Sequence, residues 1–236
     1  MYNTYNRIRA YIFGLLNVKF GTEIERMKYF SSFISNYDFD SLIDVGCGKG
    51  LLFDNIAGYN KSKLLVGVDL MKNYKGQYQH IVADATRLPF KNGAFSLVTA
   101  FSIIEHIPKD QREVFYKEVK RIIKKSGMFV IQFPNRYFII ESHTYLPFFG
   151  FLPSSIHSFA YRGGYVAVPS LKAVIYSLKE HGFEIYNIEK YEAPFLPFGS
   201  FLSKIGLFRL FPMGYIIHAR VKAGITKFLE IFNENS

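Results

Sequence analysis

Three aspartates and a glycine loop stand in or at the ends of apolar runs between residues 42 and 84. Leu42-Ile43-Asp44-Val45-Gly46-Cys47-Gly48-Lys49-Gly50 is a short apolar run broken by glycines. Such glycines let the backbone turn tightly and let a ligand lie against main-chain atoms. Dinucleotide sites share the turn, with the spacing G-x-G-x-x-G. In this chain the last of those positions is Leu51, and glycine arrives one residue early, at Gly50. Asp44 stands two residues before the first glycine, where an acid repels a pyrophosphate but suits a positively charged ligand. Asp69, 23 residues after Gly46, ends the next apolar run, where a carboxylate takes both hydroxyls of a ribose. Asp84 ends a third run and is placed to accept a hydrogen bond from an adenine amino group. Each aspartate alone reads equally well as a strand-end or helix-cap residue. Together, in a chain of net charge +10, the three read as a seat for a cationic nucleoside.

The elements that must position these groups alternate in type. Residues 1–36 read as a helical cap, with Ile24, Met27, Phe30, Phe33 and Ile34 at helical spacing. Apolar runs at Leu42 to Val45, Leu64 to Val68, His80 to Ala83, Phe95 to Phe101 and Met128 to Phe133 read as five strands. Helix-length segments separate them, including one opened by Pro108 and Asp110, running to Lys125 and ended by Gly127. Strands alternating with helices mean crossover units and a mainly parallel sheet. After Pro134 the alternation stops. Ser170 then caps a further helix closed by Gly182, and Phe183 to Ile188 and Tyr215 to Val221 supply two more strands. The single domain therefore divides into the cap, a cofactor-binding core over 38–133, and two aromatic inserts, 134–168 and 194–213, after strands five and six. Inserts beyond the C-terminal strand ends of an open α/β sheet wall a ligand pocket.

Asp44-Val45-Gly46-Cys47-Gly48-Lys49-Gly50, Gly67-Val68-Asp69-Leu70, Ala83-Asp84-Ala85 and Phe101-Ser102-Ile103-Ile104-Glu105-His106-Ile107 resemble, in order, the motifs of the class I S-adenosylmethionine-dependent methyltransferases, small-molecule type. The similarity spans about Leu42 to Phe133. It implies a Rossmann-like seven-stranded sheet of order 3-2-1-4-5-7-6 with the last strand antiparallel, and S-adenosyl-L-methionine as cofactor. It places Gly46, Cys47 and Gly48, with Gly50 closing the loop, beside the methionine part, and Asp44 near the amino group. Asp69 is placed on the ribose, Leu70 on the adenine face, Asp84 and Ala85 on the adenine edge, and Phe101 near the methyl-bearing sulfur. Ser96 departs from the family, which usually carries Asp there, and is expected to be structural.

Methyl transfer from a sulfonium requires alignment of the acceptor with the methyl carbon and exclusion of water. A base is needed only when the acceptor holds its proton tightly. Base candidates are His106 and Glu105 after the fourth strand and His143 in the first insert, with His157 nearby. His106 is favoured because the resemblance places it by the cofactor; isolated histidines are more often structural groups. No metal is expected. Cytosine C5 chemistry needs a nucleophilic cysteine beyond the cofactor loop, and Cys47 is the single cysteine. The Asn/Asp-Pro-Pro-aromatic run usual in enzymes for exocyclic amines is absent after the fourth strand.

Twenty-five Phe and 17 Tyr among 236 residues, with 49% apolar and 20% charged, exclude a disordered, collagenous or coiled-coil chain. The 29 Lys+Arg against 19 Asp+Glu favour an anionic neighbour. No run of 18 uncharged apolar residues suits a membrane span, and one cysteine points to a reducing, cytoplasmic setting. The expected acceptor is a hydrophobic or aromatic small molecule or a lipid-like one, methylated at oxygen, with peripheral membrane contact through the basic aromatic insert. DNA is not an expected partner. The alternatives are tRNA or other RNA methylation, and a noncatalytic module that binds the cofactor. A nicotinamide oxidoreductase is disfavoured by Asp44 and Leu51.

Overall fold

The computed structural model describes residues 23–56, 63–72, 78–138, 151, 166–191, 204–206 and 212–222. The elements are α1 (Glu23–Ile34), β1 (Ser41–Val45), α2 (Leu51–Ile56), β2 (Leu64–Asp69), β3 (Gln79–Val82), β4 (Phe95–Phe101), a 3-10 turn (Lys109–Gln111), α3 (Arg112–Ile122), β5 (Ile123–Pro134), α4 (Leu171–Glu180), β6 (Phe183–Tyr191) and β7 (Gly214–Val221). The strands form one sheet of order β3-β2-β1-β4-β5-β7-β6. The first five strands run parallel, and β7 is antiparallel to both β5 and β6.

The strand residues sort by parity between two cores, because successive side chains leave opposite faces of a sheet. Ile43 and Val45 of β1, Val98 and Ala100 of β4, and Phe129, Ile131 and Phe133 of β5 meet α3 and α4 through Phe115, Val119, Val174 and Leu178. Leu42, Leu97, Val130 and Ile216 leave the other face and meet α1 and α2 through Phe30, Ile34, Leu52 and Phe53. Both faces are covered, which is why these strands read as continuous apolar runs rather than as an alternation. The Phe30 ring lies 4.8 Å from Phe101 and 5.2 Å from Tyr191, so α1 lies over the C-terminal ends of β4 and β6.

Two details depart from the sequence reading. Helix α3 stops at Ile122 rather than Lys125, and Gly127 does not end it but lies inside β5. Ile123 is buried and already pairs with Phe95, and the pairing slips before resuming at Leu97 and Met128. The core claims Ile123 for the sheet, and the slip absorbs the residues up to Gly127. The inserts 134–168 and 194–213 fall largely outside the described residues, as do His143 and His157.

Ser96 closes the start of β1 onto β4. Its Oγ donates to Asp40 Oδ1 at 2.5 Å and accepts from the backbone N–H groups of Asp40 and Ser41, both at 3.1 Å. This is a structural bracket at the N-terminal end of the sheet, remote from the glycine loop.

Gly50 has a local reason of its own. Its φ is +79°, and a Cβ there would lie 1.3 Å from the Tyr78 hydroxyl oxygen. The Tyr78 ring packs on Phe53 at 4.0 Å, so it has no room to retreat. Gly50→Ala combines a left-handed backbone with overpacking and is expected to cost about 2–4 kcal/mol. In thermal unfolding this should read as a fall in Tm of roughly 5–15 °C; an unchanged Tm would show that Tyr78 does not occupy that space.

Candidate active site

The site lies where β1 to β4 stop. After Val45 the chain turns at Gly46, and the N–H groups of Gly46 and Cys47 donate to Val68 O at 2.7 and 3.0 Å. Gly46 has φ +78°, and a Cβ there would come within 2.6 Å of Ile103 Cδ1. The residue after β1 must therefore be glycine for the loop following β4 to close against it. Asp69, the last residue of β2, holds the turn from the other side. Its Oδ2 accepts from Gly48 N and its Oδ1 from Met71 N, both at 2.9 Å. Asp84 accepts at Oδ1 from the Thr86 N–H and hydroxyl, both at 2.8 Å.

These turns surround a cavity of about 320 Å³. Gly46, Asp69, Leu70, Asp84 and Ala85 line it at the β1, β2 and β3 ends. Ser102, Ile103, His106 and Ile107 line it from the segment after β4, with Gln111 from the 3-10 turn. Six residues singled out in the sequence thus share one cavity: Gly46, Asp69, Leu70, Asp84, Ala85 and His106. Leu70 is 70% exposed, an open apolar side chain of the kind a planar ring can cover.

Other expectations need correction. Phe101 is not part of the wall. It points into the core between the sheet and α1, against Phe30, because its position in β4 sends it to that face; Ser102 and Ile103 line the cavity instead. Glu105 is fully buried outside the lining, and its backbone carbonyl accepts from Ala167 N at 2.7 Å. This carboxylate does not face the cavity. Cys47 is buried behind the loop, and burial, with the charges of Asp44 and Asp69, pushes its thiol well above the ordinary range. Sequence reasoning missed Ser102, Ile103, Thr86 and Gln111. The signal for Ser102 was available: it is a lone polar residue between Phe101 and Ile103 just past a strand end.

Asp44 stands behind the cavity rather than in its wall. It is 4% exposed, and Thr99 Oγ1 donates to its Oδ1 at 2.7 Å. Burial, helped by the charge of Asp69 and opposed by the Thr99 bond, raises its carboxyl from 3.8 to about 7. A cation bound beside it favours the ionised form and draws a proton off below neutrality. Affinity for a cationic ligand should rise about tenfold per pH unit up to about pH 7 and stay flat above. Calorimetry across pH 5–8 tests this; affinity flat below pH 7 would separate Asp44 from the ligand.

Residues 43–131 match the family described as a methyltransferase domain, and they contain most of β1, all of β2 to β4, most of β5 and every lining residue. By that match residues 43–131 are a methyltransferase domain. The chain is 29% identical over 133 residues to a ubiquinone biosynthesis O-methyltransferase of Coxiella burnetii, covering 50% of this chain and 55% of that one. It is 30% identical over 106 residues to the tRNA (carboxymethyluridine(34)-5-O)-methyltransferase of Xenopus tropicalis, covering 42% of this chain and 16% of that one. Among solved structures, an S-adenosylmethionine dependent methyltransferase from Mesorhizobium loti superposes with TM-score 0.62 at 15% identity, covering 84% of this chain and 99% of that one. The chain spans about half the length of the first curated relatives it matches.

The superfamily's cofactor is S-adenosyl-L-methionine, and the residues of the methyltransferase domain fit it. The loop after β1 has no Cβ at Gly46 to hold a ligand off. Asp69 and Asp84 keep lone pairs for a neutral nucleoside, and Asp44 lies buried behind the loop. The same three acids oppose a pyrophosphate.

Proposed function

We propose that this chain transfers the methyl group of S-adenosylmethionine to an oxygen of an aromatic or lipid-like small molecule. One observation carries the reading: a single cavity runs from the carboxylates of Asp69 and Asp84 to Ser102 and His106. The cofactor supplies an activated methyl carbon on a sulfonium. Asp69 and Asp84 hold and orient the nucleoside, and Asp44 compensates the positive charge at the amino end. Gly46, Gly48 and Cys47 give it a main-chain surface, and Leu70 and Ala85 offer apolar contact to the base. Ile103 and Ile107 keep water from the reacting centre. His106 is the group within the cavity able to take the acceptor's proton.

The acceptor class is supported by the ubiquinone O-methyltransferase likeness and by the aromatic residues of the two inserts. The single cysteine supports a cytoplasmic setting. Among the described residues no helix is long and apolar enough to cross a membrane, so contact with a lipid acceptor is read as peripheral.

Methylation of tRNA is the second reading. It is favoured by the Xenopus likeness and by Arg136, whose guanidinium lies 5.2 Å from the Tyr137 ring, itself 5.5 Å from the exposed Phe151 ring. Paired rings beside a cation suit stacked bases.

Radiolabelled methyl transfer to separated small-molecule, lipid and RNA pools distinguishes the two. Label in the aromatic small-molecule or lipid pool is expected; label confined to RNA would overturn the first reading for the second. His106→Ala is expected to lower turnover about 100-fold with cofactor affinity unchanged. Full turnover in that variant would remove His106 as the base.

A further inference from the structure

Ser102 carries three features that the assignment of the cofactor site does not use. Among the described residues it is the one non-glycine with a positive φ, +54°, a region where Gly, Asn or Asp is the usual occupant. It is latched twice to β5: its N–H donates to Gln132 O at 3.0 Å, and its Oγ donates to Gln132 Oε1 at 2.8 Å. Gln132 is 3% exposed, so the latch is built into the sheet rather than laid on its surface. Ser102 also lines the cavity, in the segment that leads from β4 to His106.

A serine hydroxyl has one proton and two lone pairs. The proton of Ser102 is committed to Gln132, so toward any further partner this oxygen can only accept. Backbone strain of this kind persists where the surrounding structure overdetermines it, and it clusters at sites of chemistry. Glycine would meet this backbone conformation at less strain, but it would leave Gln132 Oε1 without the hydroxyl that Ser102 gives it.

We propose that Ser102 orients the methyl acceptor, and that the acceptor reaches the site bearing an O–H or N–H that donates to Ser102 Oγ. With that proton engaged, the acceptor's lone pair is left to face the methyl carbon. As the new bond to carbon forms, the carbon–sulfur bond breaks, its electron pair passes to sulfur, and the proton that lay on Ser102 Oγ leaves the methylated acceptor through water to His106. The inference rests on the methyl-transfer reading and narrows its substrates. It excludes acceptors without a hydrogen to donate, such as a thioether or a tertiary amine.

Ser102→Gly is the informative variant, because it removes the hydroxyl while relaxing the backbone. Ser102→Asn also tolerates a positive φ and restores an accepting oxygen. The readouts are Tm, calorimetric affinity for S-adenosylhomocysteine, and tritium transfer from S-adenosylmethionine to a dilution series of one small-molecule cell extract. For Ser102→Gly we expect a Tm within a few degrees of the parent's, the relieved backbone strain offsetting the lost bond to Gln132, and affinity within about threefold. Its transfer efficiency should fall about 10- to 100-fold, mostly as a rise in apparent KM. Ser102→Asn should recover part of the loss, which a purely structural serine would not require. Parent-like transfer by Ser102→Gly overturns the inference alone. Loss of S-adenosylhomocysteine binding in that variant also overturns it, by assigning the hydroxyl to the cofactor. No labelling by the parent protein overturns it together with the methyl-transfer reading.

Discussion

Asp69→Ala is expected to raise the dissociation constant for S-adenosylmethionine at least about 100-fold. The carboxylate is placed to accept from ribose hydroxyls, and it already holds Gly48 N and Met71 N at 2.9 Å. Charge-assisted hydrogen bonds contribute about 1.5–3 kcal/mol each, so losing two ligand bonds costs about 3–6 kcal/mol, or more than 100-fold in affinity. The loosened glycine loop adds to this. Asp69→Asn keeps an acceptor for Gly48 N and should fall between the parent and the alanine variant. Calorimetry measures the affinity, and circular dichroism checks that the sheet has formed. An affinity within threefold of the parent in Asp69→Ala would remove the ribose assignment.

The second large effect has opposite signs in stability and in binding. Asp44 is buried, with its carboxyl raised from 3.8 to about 7. A carboxyl raised by folding holds its proton more tightly in the folded chain. Its contribution is therefore fully present below the unfolded value and is lost as pH rises through the folded one. By pH 8 the ionised group opposes folding by about 4 kcal/mol. Asn at this position has nearly the same shape, can still accept from Thr99 Oγ1, and carries no charge to desolvate. Asp44→Asn should therefore be more stable than the parent at pH 8, by up to about 4 kcal/mol, with the gain vanishing near pH 4. If Asp44 compensates the ligand's ammonium as proposed, the same change should weaken S-adenosylmethionine binding about 100-fold. It should also flatten the pH dependence below neutrality. Thermal unfolding at pH 4 and 8, with calorimetry, checks both halves. A variant less stable than the parent at pH 8 would mean that Asp44 serves the fold rather than a cation.

Much of this arrangement was legible in the chain itself, for physical reasons. A sheet covered on both faces needs unbroken apolar strands, so β1, β2, β4 and β5 announce themselves as runs. A ligand that lies against backbone needs glycine, and Gly46 sits where a Cβ would strike Ile103. What was not legible depends on contacts distant in sequence. The end of α3 was misplaced because Ile122 and Ile123 are equally apolar, and only pairing with Phe95 assigns Ile123 to the sheet. Gly50 reads as part of the cofactor loop, yet the space it leaves is filled by the Tyr78 hydroxyl, 28 residues away. Phe101 and Glu105 belong to the segment whose resemblance to the family implied a place in the site. Which way each side chain turns is decided by the helices packed on either face, and in this chain both turn inward.

The central claim is that the acids at the strand ends seat adenosine linked to a positively charged sulfur. Calorimetric titration of the purified chain at pH 7.5 with S-adenosylmethionine, S-adenosylhomocysteine and a nicotinamide dinucleotide tests it most directly. Saturable heat is expected from the first two and none from the third. Binding of the dinucleotide with no binding of either sulfur compound would contradict it.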